Sequence, residues 1–295
     1  MTDPTDPARI RYRRQRVGEV DVFFREAGPA DAPVVLLLHG FPTASHMFRD
    51  LIPRLADRYR VIAPDLPGFG LTAAPPRGRF SYDFDTLADV VDGFAEALRL
   101  SRYALYLFDY GAPTGFRLAL RHPERVSAIV SQNGNAYLEG LSTEWEPWQR
   151  YWRDPTPDNR ELCRASLSDD AIRAQYATGA PPDLLPPDGM LLDTHLMHRP
   201  DAAEIQLDLI LSYRDNVARY PDFQRYFREH QPPLLAVWGR HDPFFLPAGA
   251  EAYRRDLPDA RIHLLDTGHF ALETHAPVIA ALMRDFLSDA VPHPA

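Results

Sequence analysis

Cysteine is nearly absent: the 295-residue chain has one, Cys163. A lone thiol closes no internal disulfide, so the fold does not depend on an oxidising compartment, and a thiolate-built metal site is disfavoured with it. Long hydrophobic runs are also missing. None approaches the ~20 apolar residues a helix needs to cross a bilayer. The opening Met1-Thr2-Asp3-Pro4-Thr5-Asp6-Pro7 is polar and proline-broken, without the apolar stretch of a secretory signal. Positive charge is in deficit. With 32 basic against 41 acidic residues the formal net charge is −9, which argues against nucleic acid or an anionic membrane as partner. There is no internal repeat and no low-complexity tract. The expectation is a soluble, cytoplasmic protein acting on a small apolar organic molecule, with the oligomeric state left open.

What is present is an ordinary globular composition, 45% hydrophobic and 25% charged. Such a chain is long enough for one large core carrying an inserted lid. Val34–Leu38 is a continuous apolar run, as expected of a strand buried on both faces of a parallel sheet. Arg60–Ala63, Tyr103–Phe108 and Val126–Ser131 read as further strands, and Val20–Arg25 with the stretch before it as a hairpin. Helical patterns fall between them at Met47–Leu55, Phe84–Leu98 and Thr114–Arg121. This alternation predicts an α/β fold, a mostly parallel central sheet with helices on both faces. From about Asn135 to His230 the rhythm breaks into Pro-, Trp- and Tyr-rich helical segments. It resumes with Pro233–Trp238, Arg261–Leu265 and a helix over Thr274–Leu287. The expected organisation is core over 1–135, a helical cap over 136–230, and core again over 231–295.

Three residues stand at the carboxyl ends of predicted strands, where open α/β sheets bind their ligands. Asp109 follows Phe108 and leads through Tyr110-Gly111 into a helix, the layout of a nucleophile elbow with an acid at its apex. The N-terminus of that helix stabilises negative charge there. Alone, Asp109 also reads as a helix N-cap. Asp242, in Gly239-Arg240-His241-Asp242, and His269, in Gly268-His269-Phe270, follow two later strands. Each has a plain reading as a turn or loop residue, but the order nucleophile, acid, histidine is that of a hydrolytic triad. His39-Gly40-Phe41-Pro42, directly after Val34–Leu38, sits where an oxyanion-hole loop belongs. Backbone N–H groups of Phe41 and Tyr110 are the expected donors. Asp65–Gly70 reads as a structural turn.

With these motifs in place, the chain resembles the α/β-hydrolase superfamily from about residue 15 to 288. Within it, the sequence is similar to the branch of epoxide hydrolases and haloalkane dehalogenases, whose nucleophile is Asp. A carboxylate suits displacement at an sp³ carbon. The resemblance implies an alkyl ester on Asp109 that is hydrolysed by water activated by His269, with Asp242 orienting the imidazole and no cofactor or metal. Epoxide hydrolases supply two cap tyrosine hydroxyls to the departing oxygen, and Tyr151 and Tyr213 match them in placement. Tyr176, Tyr220 and Tyr226 match less well. Haloalkane dehalogenases place a Trp beside the nucleophile and another N–H donor nearby. Here those positions hold Tyr110 and Phe41, which weakens that reading. Leu107 and the aromatic group Trp145, Trp148 and Trp152 point the other way, although their spacing also fits the buried stripe of an amphipathic helix. An epoxide hydrolase is therefore the first expectation, a haloalkane or haloacid dehalogenase the second, and a non-catalytic binder of the same fold the third.

Overall fold

The computed structural model describes residue 6 and residues 8–291, so Met1–Thr5, Pro7 and the closing Pro292–Ala295 lie outside it. Eight strands form one sheet in the order β1-β2-β4-β3-β5-β6-β7-β8. They are β1 (Arg11–Val17), β2 (Val20–Ala27), β3 (Val34–Leu38), β4 (Arg60–Pro64), β5 (Tyr103–Phe108), β6 (Val126–Gln132), β7 (Leu234–Gly239) and β8 (Arg261–Leu265). The β1–β2 hairpin is antiparallel and pairs antiparallel with β4; every other pairing is parallel. Strands β5, β6 and β7 are buried at every residue. Side chains alternate between the two faces, so one strand serves two cores. Leu36, Leu105 and Ile129 face one core, and Val35, Ala104 and Val130 face the other.

The helices are α1 (Ile52–Leu55), α2 (Phe84–Ala97), α3 (Gly111–Arg121), α4 (Glu146–Arg153), α5 (Pro157–Arg164), α6 (Asp169–Ala177), α7 (Pro187–Met197), α8 (Ala202–Ala218), α9 (Tyr220–His230), α10 (Pro247–Asp256) and α11 (Ala271–Ala290). Three differ from the sequence reading. The expected helix over Met47–Leu55 is a 3₁₀ turn at Ser45–Phe48 followed by the single turn α1. Pro53, which lacks an N–H, sits in the first turn of α1, the one place a helix accepts it, so a new helix starts there. Helix α3 begins at Gly111 rather than Thr114, directly beneath the elbow. Helix α11 runs past the expected Thr274–Leu287 at both ends and is kinked at His275, two residues before Pro277.

Between β6 and β7 the described elements are all helical, α4 to α9 with short 3₁₀ turns. These cover the carboxyl edge of the sheet and are pinned to it by buried polar contacts. His46, on the loop after β3, lies 2.6 Å from Asp193 of α7, and the Tyr176 hydroxyl of α6 donates to the other oxygen of the same carboxylate. Asp193 and Tyr176 have no exposed surface, and His46 has almost none. On the far side, Arg117 of α3 donates to Asn216 of α8 at 2.7 Å.

Candidate active site

The backbone at the end of β5 turns sharply. Asp109 has φ of 48°, a left-handed conformation that a non-glycine residue keeps only where its surroundings hold it. Two glycines make the turn possible. A Cβ on Gly111 would lie 2.3 Å from the Leu38 carbonyl oxygen, and one on Gly40 would lie 2.2 Å from Asp109 Oδ1. The elbow can therefore approach the β3 loop only because neither position carries a side chain.

That approach sets the carboxylate. The Phe41 N–H donates to Asp109 Oδ1 at 2.6 Å, and the Tyr110 N–H also donates to the carboxylate. Oδ2 faces His269 Nε2 at 4.0 Å. His269 Nδ1 lies 2.7 Å from Asp242 Oδ2, so Nδ1 donates to that carboxylate and Nε2 is the ring nitrogen turned to Asp109. The imidazole is closed in by Phe108, Phe244, Phe245 and Phe270. Burial pushes the Asp109 carboxyl up to about 6, against the opposing pull of His269 and the two amides. For His269, burial pulls its pKa down, but Asp242 and then Asp109 more than offset this and leave it above 6.5.

Asp242 is itself fully engaged. Its Oδ1 accepts from the Phe244 N–H at 2.7 Å, and its Oδ2 accepts from Asn133 Nδ2 at 2.6 Å. Asn133 sits just past β6 with φ of 47°, and its Oδ1 accepts from the Gly239 N–H at 3.0 Å. This residue joins the carboxyl ends of β6 and β7 and was missed in the sequence. The available signal was its place as a polar residue at a strand's carboxyl end. His39 is wholly buried and structural: its Nε2 accepts from the Leu66 N–H at 2.9 Å, tying the Phe41-Pro42 loop to the Asp65–Gly70 turn. Asp65 holds that turn by accepting from the Ser45 and Leu71 N–H groups.

Asp109 and His269 open onto a cavity of about 300 Å³ whose walls are mainly apolar and include Phe41, Trp145, Trp148 and Phe244. The cap residues expected at the leaving group divide. Trp148 lines the cavity, and among the described residues nothing accepts its indole N–H. Trp152 stands outside it and donates to the Ile210 carbonyl at 2.6 Å; Trp145 lines it but donates to the Phe244 carbonyl at 2.9 Å. Tyr151 and Tyr213 are buried and do not line this cavity. The Tyr151 hydroxyl accepts from Arg160 at 3.2 Å. Tyr213 packs between Tyr110 and Trp145, with its hydroxyl paired to that of Tyr220. Of the poorer tyrosine candidates, Tyr220 thus touches the site's supports and Tyr176 belongs to the cap attachment. No group of three or more His, Cys, Asp or Glu side chains suited to a metal ion occurs among the described residues.

Comparison with known proteins gives a consistent picture. A family model described as alpha/beta hydrolase fold matches residues 33–168 and 189–276. An uncharacterized hydrolase of Saccharomyces cerevisiae is 46% identical over 277 residues, covering 92% of this chain and 94% of the yeast protein. A haloalkane dehalogenase of Mycobacterium marinum is 29% identical, covering 86% and 84% of the two chains. In structure, the haloalkane dehalogenase DbeA of Bradyrhizobium elkani superposes with a TM-score of 0.79 at 23% identity, over 95% of this chain and all of that one, a likeness of fold.

Proposed function

The chain belongs to the alpha/beta hydrolase family, and on that footing we propose that it hydrolyses alkyl electrophiles through a covalent ester on Asp109, with epoxides as substrates and 1,2-diols as products. The observation that supports this reading is the carboxylate itself, held by two amides with Oδ2 turned to the imidazole at 4.0 Å. Oδ2 attacks an epoxide carbon, the ring C–O bond breaks, and the alkoxide oxygen takes a proton to give a hydroxyalkyl ester. Esterification removes the Asp109 charge, one of the causes that raise the His269 pKa. The imidazole is thereby returned toward its neutral form when a base is needed. Nε2 then takes a proton from water, and the oxygen of that water attacks the Asp109 carboxyl carbon. The Phe41 and Tyr110 N–H groups hold the tetrahedral oxyanion. Collapse releases the diol oxygen, which recovers the proton from His269. The carboxylic acid left on Asp109 gives up the second proton of that water, which replaces the one donated to the ring-opened alkoxide and regenerates the carboxylate. For the departing oxygen Tyr213 is the stronger O–H candidate: it packs on Tyr110, and burial raises its pKa so that the phenol stays protonated. Reaching substrate requires Trp145, which stands against it, to move aside.

Dehalogenation is the second reading, favoured by the free indole N–H of Trp148 on the cavity wall and by the named relatives. A halide needs at least two such donors, and those of Trp145 and Trp152 are committed to backbone carbonyls. Intact mass of His269→Gln after incubation with 1,2-epoxyalkanes and with 1-bromoalkanes separates the two. Hydroxyalkyl adducts on Asp109 are expected; adducts from bromoalkanes alone would reverse the order.

A further inference from the structure

The cavity wall carries one buried polar side chain that the reaction above leaves idle. Gln175 of α6 is only 7% exposed and lines the cavity. Ala171 and Ala174 line it too, and positions i, i+3 and i+4 share one helix face, so this face of α6 is the wall. Among the described residues no protein group is hydrogen-bonded to the Gln175 amide. The helix is held in place from behind, where Tyr176 stacks on Phe270 with ring centroids 3.8 Å apart and donates to Asp193. Gln175 is thus presented from a fixed element. Of the other polar groups on the wall, Ser166 donates to the Cys163 carbonyl, burial pushes the Cys163 thiol up to about 11, Glu144 is exposed to solvent, and the Trp148 indole can only donate.

The Gln175 side chain is largely buried but its amide is open to the cavity, so its hydrogen bonds go to whatever occupies that space, water or a bound molecule. We infer that Gln175 is a specificity-determining residue that hydrogen-bonds an oxygen-bearing substituent of the substrate, so that the preferred electrophile carries an ether, hydroxyl or carbonyl oxygen in addition to the leaving group. A site built to pair with a substrate polar group rejects the analogue that lacks it more strongly than an apolar wall distinguishes one methylene from another. The inference rests on the epoxide reading for its choice of probe but not for its logic.

The test uses two isosteres, ethyl glycidyl ether and 1,2-epoxyhexane, which differ by one oxygen in place of one methylene. Wild type is expected to prefer the ether by roughly 10-fold in kcat/KM. In Gln175→Leu that preference should vanish, through a KM for the ether that rises relative to that for 1,2-epoxyhexane. Gln175→Glu, of the same shape and acceptor-only when ionised, should lose the preference as well, which guards against a folding defect in the first variant. Equal kcat/KM for the two in wild type, or a preference that survives both substitutions, overturns the assignment. If neither epoxide is turned over, the epoxide reading has failed and Gln175 is judged by binding alone. Then 2-ethoxyethanol should bind wild type more tightly than 1-pentanol, read by the fluorescence of the cavity tryptophans, and equally in Gln175→Leu; no difference in wild type overturns it.

Discussion

The carboxyl edge of the sheet and the cap above it are built on different principles. At the sheet edge the polar atoms of the triad are matched one by one. Asp242 has three partners, and Asp109 has two amides and an imidazole. These partners are backbone N–H groups or side chains fixed at strand ends, so the geometry follows from the sheet. The cap side is apolar and aromatic, packed ring against ring, with Trp145, Trp152 and Tyr213 in mutual contact. It also tolerates loose ends: the Tyr110 hydroxyl beneath it, the Gln206 amide and Asn216 Nδ2 are buried without a hydrogen-bond partner. The difference teaches where hydrogen-bonding capacity is spent: the carboxylates and the imidazole at the sheet edge are held by fixed partners, while the helical side is held mainly by ring packing.

Substitution sharpens this contrast, and the largest effect is expected at the nucleophile. Asp109→Asn should cut turnover by about 10⁴-fold or more, read in steady state. The same change should raise stability. The folded Asp109 pKa of about 6 lies above its ordinary 3.8, so ionising it costs the folded state roughly 3 kcal/mol at neutral pH. That cost is complete above about pH 6 and absent below the unfolded value. The variant should therefore melt several degrees higher at pH 7 and no higher at pH 3.5; equal melting at both would contradict the burial argument. His269→Gln should stop the second half-reaction, so one equivalent of substrate is consumed and the adduct persists on the mass spectrum.

Asn133→Ala comes next. It removes a charge-assisted hydrogen bond to Asp242, worth about 1.5–3 kcal/mol, and a 10- to 100-fold drop in kcat is expected with KM little altered. On the cap, Asp193→Ala leaves His46 and Tyr176 buried without their shared partner. It should cost about 3 kcal/mol in denaturant unfolding while lowering kcat much less than Asn133→Ala, because no reacting group is touched; a larger kcat loss would show the two regions to be coupled. The smallest effect is the pH profile. The free enzyme needs Asp109 ionised, so kcat/KM should fall as pH drops through about 6.

Much of the sheet edge was legible in the sequence because it is coded locally. Each of Asp109, Asp242 and His269 follows an apolar strand, and the carboxyl end of a strand in a parallel sheet is a fixed place in space. The cap was legible only as a stretch without strands. Tyr151 and Tyr213 matched by position along the chain, yet their direction depends on how α4 and α8 pack, and that packing sets both hydroxyls outside the cavity wall. Gln175 carried no local signal, since a glutamine in a helix reads as solvent-exposed until a neighbouring element covers it.

The sequence by itself determined the order of strands and helices, the acid at the elbow, and the two glycines that let β3 and β5 loops meet. These depend on residue type and short-range geometry. Tertiary structure alone decided which oxygen of Asp109 faces the imidazole, which tryptophan keeps its N–H available, and which glutamine lines the cavity. Each of those depends on distances between segments far apart in the chain, as much as 160 residues for Asp109 and His269, and periodicity along a chain holds no record of such distances.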